Sequence, residues 1–206
     1  MKQFNELIYK PLYDQFDSGH NWGHATKVAA SARYLGYRYC PELIDIVNIA
    51  AYVHDIGLLY GRDLHEIHGS EMVLNDLYLK SILTPDQLLV VSNAVLNHRA
   101  STGCPKNMVA KIVADADRTG EFDAKSLLIR TYQYCSKFHN NIEDRCIYAI
   151  THAMEKFVTG GPRYKISVLS QCHFPETRMK MEKLTDEIMK LFNMHDIHAI
   201  KSFIGV

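Results

Sequence analysis

Residues 44–57 read Ile-Asp-Ile-Val-Asn-Ile-Ala-Ala-Tyr-Val-His-Asp-Ile-Gly. From Leu43 to Val53 the chain is almost continuously apolar, and a helix apolar all round is a buried central helix. The run is too long and too rich in Ala for a strand. Pro41 suits the first position of this helix and Gly57 reads as its C-terminal stop. The helix closes on an ionisable pair, His54-Asp55. Burying an uncompensated carboxylate costs several kcal/mol, so a partner is required. A divalent cation would serve, since adjacent residues at a helix end can each supply one ligand. Taken alone, the dipeptide also reads as a satisfied core His followed by an Asp facing solvent.

Outward from this helix the periodicity is helical nearly throughout. Ala25, Val28, Ala29, Ala32 and Leu35 form one stripe over residues 25–38. Residues 66–80 read as an amphipathic helix with Met72, Val73, Leu77 and Leu79 inward. Thr84-Pro85-Asp86-Gln87 is a helix start: Thr84 as N-cap, Pro85 at the first position, Gln87 closing a capping box. That helix carries Leu88, Val91, Val95 and Leu96 to about His98, and residues 99–106 form a loop. Further helices are predicted at about 107–118, 124–138, 143–158 and 176–193, the last with Met179, Leu184, Ile188 and Leu191 inward. No alternating strand pattern, repeat or low-complexity segment is present. The expectation is an all-α protein of one domain over residues 1–206, with its core at about 18–158. A C-terminal helical extension at about 163–206 follows the Gly160-Gly161-Pro162 break.

Composition bounds the partners. The 206 residues hold 23 Lys+Arg and 23 Asp+Glu, a formal net charge of zero. That balance argues against binding DNA or RNA polymers by counterion release and against polybasic membrane attachment. No run reaches the eighteen or so apolar residues of a membrane span. The 11 Gly and 6 Pro are about 8% of the chain where roughly 12% is usual, which suits few, long elements. The five cysteines lack paired spacing and the N-terminus has no targeting character, so a reduced cytoplasmic setting is expected. The chain has 11 His, and histidine is both the commonest metal ligand and the usual proton carrier near neutral pH.

The histidines and aspartates gather on inward faces. His24 lies on the stripe of Val28, and His98 ends a buried helix. Asp115 and Asp117 point about 200° apart around a helix. Asp117, four residues after Val113, lies nearest the inward face, which leaves Asp115 to a structural hydrogen bond or to water. Of His65 and His68, the latter fits the inward stripe of Met72 better.

His24 in Gly-His-Ala-Thr-Lys-Val, His54-Asp55 after a buried helix and Asp117 in Ala-Asp-Ala-Asp-Arg follow the order H…HD…D. Over most of residues 18–120 the chain resembles the HD-domain metal-dependent phosphohydrolases. The resemblance implies an HD-domain helical bundle in which His24, His54, Asp55 and Asp117 bind a divalent ion. In Ser-Gly-His-Asn-Trp-Gly-His-Ala, His20 matches a family His beside the metal, although Asn21 stands where Asp is usual. His68 and His98 match positions that line the pocket and bind a second metal in dinuclear members. Ala-Asp-Ala-Asp-Arg-Thr-Gly departs from the Asp-Ala-Asp-Arg-Leu-Asp form just beyond Asp117.

Imidazoles with carboxylates suit Mn²⁺, Mg²⁺, Co²⁺, Zn²⁺ or Fe²⁺ without choosing among them. The expected activity is hydrolysis of a small phosphate ester or nucleotide by metal-activated water. Asp55 would both bind the metal and orient the water, with His20, His68, His98 and Arg99 as donors to the phosphoryl group. Arg99 reads equally as a solvated loop arginine, and Lys27, Lys111 and Arg118 are weaker donors. Two alternatives remain: a di-iron oxygenase on the same scaffold, with the second iron at His68 and His98, or a non-catalytic nucleotide-binding module. The oligomeric state is open, a homodimer included. Tyr34, Tyr37 and Tyr39 read as core edges, and Met179, Met181, Met189 and Met194 as core filler.

Overall fold

A computed structural model describes residues 3–17, 19–119, 123–161 and 166–206. Ser18 at the expected core boundary, Pro162 and the expected start of the extension at 163 lie outside the described residues. Eleven α-helices, several short 3₁₀ segments and one π-helical turn (Met154–Thr159) account for the helical structure of the described residues, with no strand among them. In chain order the helices are α1 (Lys10–Tyr13), α2 (Trp22–Tyr39), α3 (Ile44–Val53), α4 (His65–Asn75), α5 (Leu77–Ile82) and α6 (Pro85–Asn97). They continue with α7 (Met108–Thr119), α8 (Ala124–Tyr134), α9 (Ile142–Ala153), α10 (Pro175–Asn193) and α11 (Ile197–Ile204). Contacts divide the chain into two compact units, Met1–Glu121 and Phe122–Val206.

In the first unit α3 is the central helix, against α2, α6 and α7. Its Ile46, Val47, Ile49, Ala50, Ala51 and Val53 are buried, as is the Ala25–Leu35 stripe of α2 that meets it. Pro41–Tyr60 is long and apolar enough, by length and composition alone, to cross a membrane. Here it is divided into a 3₁₀ turn (Pro41–Leu43), α3 and a second 3₁₀ segment, Ile56–Tyr60. Gly57 does not stop the helix as expected: α3 ends at Val53 and Gly57 lies inside the second 3₁₀ segment. Its role is close approach, because a Cβ there would stand 2.0 Å from the His65 carbonyl oxygen and 2.4 Å from the Gly69 nitrogen. The start of α4 can therefore lie directly on the backbone that follows His54-Asp55.

The single helix expected over 66–80 is two. Asp76 breaks it with extended backbone and caps α5 by accepting from the Leu79 N–H, while Tyr9 donates to its other oxygen at 2.7 Å. The break turns Leu77 out, 81% exposed, and leaves Val73 and Leu79 buried. Thr84 and Gln87 do form the capping box of α6.

In the second unit α8 and α9 pack on each other, with α10 and α11 against both. The buried stripe of α10 is Thr177, Met181, Leu184, Ile188 and Leu191, whose steps of four and three track the helix period. Met181 takes the inward place expected of Met179, which is 69% exposed. Tyr34 and Tyr37 on α2 are also exposed, so they do not pack as core edges.

Candidate metal centre

His54 and His98 are placed by the same local device. Each is the C-cap of a buried helix, α3 or α6. Each turns its Nδ1–H onto a carbonyl three residues upstream, Ala51 at 2.8 Å and Val95 at 2.6 Å. The bond satisfies a last-turn carbonyl that has no helical partner. It also fixes the tautomer, so Nε2 carries its lone pair inward. His65, first residue of α4, does likewise with the Arg62 carbonyl at 2.9 Å. Leu64 just ahead of it adopts left-handed backbone at φ 58°, a conformation that costs a non-glycine residue about 1–2 kcal/mol.

These nitrogens converge on Asp55. One carboxylate oxygen, Oδ2, lies 3.2 Å from His54 Nε2 and 3.6 Å from His24 Nε2. The other, Oδ1, lies 3.5 Å from His65 Nε2 and 3.4 Å from His98 Nε2. Asp117 joins the first group, its Oδ1 at 3.2 Å from His24 and 3.7 Å from His54. Ligands about 2.1 Å from one ion stand roughly 3.0–3.5 Å apart when adjacent, so these separations suit shared coordination. Two overlapping triads result, His24-His54-Asp55 and Asp55-His65-His98. Asp55 belongs to both.

The donor set passes a stricter test of fit. His65 and His98 both spend their Nδ1–H on carbonyls, yet their Nε2 atoms face each other at 3.3 Å. Two neutral rings so held oppose lone pair to lone pair. Either a second proton on one ring or a cation between them relieves this. The same holds for the carboxylates. Burial disfavours ionised Asp55, but the His54 and His98 imidazoles outweigh it and hold its pKa well below the usual carboxylate range. Burial likewise opposes ionised Asp117, and His24 with His54 overrides it in the same direction. Burial opposes a charged His98, but the Asp55 carboxylate favours a second proton on Nε2 more strongly and pushes His98 up. His65 is pushed down by burial and by the facing His98. The site thus keeps anionic oxygens beside imidazole nitrogens, the composition a hard-to-borderline divalent ion takes.

The residues singled out in the sequence divide cleanly by place. His24, His54, Asp55, His98 and Asp117 come together. His68 does not: it is half-buried with its ring against Tyr60 at 5.4 Å, and His65 holds the position expected of it. The inward face of α4 is His65, Glu66, Gly69, Ser70 and Val73, so the stripe runs through residues that are not apolar. His20 stands beside the centre, its ring 5.8 Å from that of His24. Arg99 is held by the buried Glu66 carboxylate at 3.2 Å, with Thr102 donating to the same carboxylate at 2.9 Å. Arg118 is buried against Asp115 at 3.3 Å, which gives Asp115 the structural role expected of it. The apolar stripe favours His68 over His65, and it gives no sign of Glu66 or Tyr13. Tyr13 is fully buried and its hydroxyl accepts from the Asp55 N–H at 3.3 Å, steadying the bridging residue from α1. Asp117 keeps 26% of its side chain open, against 11% or less for the other five members, so the centre faces solvent on its side.

The family model for the HD domain matches residues 20–120. Among solved structures, the chain is similar to the crystal structure of a predicted HD superfamily hydrolase from an uncultured Thermotogales bacterium. The TM-score is 0.56 at 18% identity, covering 92% of this chain and 87% of that one, a likeness of fold. No curated protein matches the chain in sequence. The matched segment contains every residue of the two triads and Asp117, and residues 20–120 are by it an HD domain.

Proposed function

We propose that the protein is a divalent-metal-dependent phosphohydrolase of small phosphate esters, nucleotides included, with two ions held about Asp55. One observation carries the reading: the two oxygens of a single buried carboxylate each face a separate pair of imidazoles. His24, His54, Asp55 and Asp117 would hold one ion, and Asp55, His65 and His98 the other. Bound there, such ions lower the pKa of water and polarise phosphoryl oxygens. The chain's own part is orientation. The carbonyl-locked imidazoles present fixed lone pairs, and Asp55 with Asp117 keeps the acidic face that attracts cations. Opening on the Asp117 side gives a substrate oxygen access, while the other ligands stay dry, where electrostatic interactions are strongest.

The test is phosphate release from a panel of phosphomonoesters, phosphodiesters and nucleotides with added Mn²⁺, comparing wild type with Asp55→Ala. Metal-dependent release that Asp55→Ala abolishes supports the reading, and equal release by both overturns it. The shared carboxylate would equally serve two irons, so iron content and oxygen consumption are measured on anaerobically prepared protein. Two irons with oxygen uptake and no phosphate release would replace the hydrolase by an oxygenase.

A further inference from the structure

Glu66 is buried next to His65, and a buried carboxylate must be compensated. Its compensation comes from the turn that leaves His98. Arg99 Nη1 donates to Oε2 at 3.2 Å, and the Thr102 hydroxyl donates to Oε1 at 2.9 Å. That turn is tight. The Gly103 N–H donates to the Arg99 carbonyl at 2.7 Å, and a Cβ on Gly103 would stand 2.2 Å from the Asn97 carbonyl oxygen. The carboxylate therefore joins the residue after one imidazole of the second triad to the residue after the other: Glu66 follows His65, and Arg99 follows His98.

The link spans the place where the second triad strains apart. His65 and His98 set their Nε2 atoms 3.3 Å from each other, lone pair to lone pair. Parting the start of α4 from the end of α6 relieves that repulsion, and the Glu66–Arg99 pair opposes the movement. Glu66 also acts on His65 itself. Its Oε2 lies 3.5 Å from His65 Nδ1, whose hydrogen goes to the Arg62 carbonyl at 2.9 Å. An anionic oxygen on that side of the ring keeps the proton at Nδ1 and makes Nε2 the stronger ligand, as carboxylates behind metal-bound imidazoles do.

We propose that Glu66 is a positioning residue for the second ion. Through Arg99 and Thr102 it holds His65 and His98 face to face, and through His65 Nδ1 it strengthens that ligand. The inference rests on the two-ion centre of the phosphohydrolase reading and deepens it: the second site is preformed by a carboxylate that binds no metal. The first site does not depend on it, since none of the hydrogen bonds or ion pairs of Glu66 reaches His24, His54 or Asp117.

The test uses the full-length protein, stripped of metal and titrated with Mn²⁺. Calorimetry reads the affinity of each ion, and electron paramagnetic resonance separates an isolated Mn²⁺ from a coupled pair. Wild type, Glu66→Gln, Arg99→Gln and the double variant are compared, with circular dichroism to check folding. Glu66→Gln keeps the size of the side chain and is expected to weaken the second ion about ten- to a hundredfold, with the first bound as in wild type. The coupled signal then appears only at higher Mn²⁺. Arg99→Gln weakens the second ion less, since Glu66 still stands behind His65. The double variant is no weaker than Glu66→Gln, because both residues act through one link.

Wild-type affinity for the second ion in Glu66→Gln would overturn the proposal and leave the two-ion reading standing. Equal weakening of both ions would make Glu66 a general support of the fold and overturn it too. Should Glu66→Gln fail to fold, Arg99→Gln decides, at a side chain 34% exposed: an unchanged second ion there overturns the proposal. Wild-type protein that never takes up a second Mn²⁺ removes the two-ion reading and this proposal together.

Discussion

Asp55 carries more of the centre than any other residue, because both of its oxygens are committed. The ligands on either side each serve one triad. Metal stoichiometry separates these cases. Asp55→Ala is expected to lose both ions, His65→Ala or His98→Ala only the second, and His68→Ala neither. Elemental analysis after gel filtration checks this, and two retained ions in Asp55→Ala would sink the bridging assignment. Most of the centre is legible in the sequence because its members sit where apolar periodicity meets a helix end. His24 shares a stripe with Val28, His54 follows Val53, and Asp117 follows Val113 by one turn. His65 is not legible in this way. Its helix buries Gly69 and Ser70 alongside Val73, and a face that packs by closeness has no apolar stripe to mark it. Reading inwardness from Met72 shifts the phase to His68. Glu66 escapes for the same reason: nothing in composition marks a carboxylate that is buried because Arg99 and Thr102 meet it.

At the scale of elements, the centre depends on how closely α4 approaches the 3₁₀ segment that follows Asp55. Gly57 and Gly69 make that approach, and Gly69 in turn lies under Val95 of α6. Because a Cβ at Gly57 would overlap the His65 carbonyl at 2.0 Å, backbone must move to admit it. Gly57→Ala is expected to cost about 3 kcal/mol or more, at the upper end for overpacking. The displaced residue is a proposed ligand, so the second ion should go with the stability. Gly61→Ala is the control: its φ of 102° makes Ala strained there, at about 1–3 kcal/mol, but nothing lies within 4 Å of the added Cβ. It should keep both ions. Urea denaturation with metal analysis distinguishes them, and an unperturbed midpoint in Gly57→Ala would show that the two segments separate at no cost. Sequence periodicity locates such elements well where apolar side chains make the contact, as in α2, α3 and the Thr84 capping box. It misplaces them where backbone makes it: Gly57 looks like a helix stop, and Asp76 hides inside a stripe until its cap and its bond from Tyr9 break the helix.

For the whole molecule, every residue of the candidate centre lies in the unit Met1–Glu121, the last of them four residues before its end, while Phe122–Val206 has a buried stripe of its own on α10. Metal that binds the folded centre and not the unfolded chain stabilises by mass action, about 2.7 kcal/mol at one hundred times its Kd. That stabilisation belongs to the elements the ligands tie together: the start of α2, the ends of α3 and α6, the start of α4, and α7. Chelation with EDTA is therefore expected to raise amide hydrogen exchange in those segments and to change α9, α10 and α11 far less. The effect has a definite pH sign. Metal requires unprotonated imidazole nitrogens, so its contribution is present at the higher pH and fades as pH falls and protons displace the ion, first at His98, which is pushed up, and last at His65, which is pushed down. Exchange measured with and without EDTA at pH 7.5 and again near pH 5.5 checks both points. A chelation difference that persists unchanged at the lower pH, or that is as large in α10 as in α3, would mean that the metal acts somewhere other than this cluster of histidines.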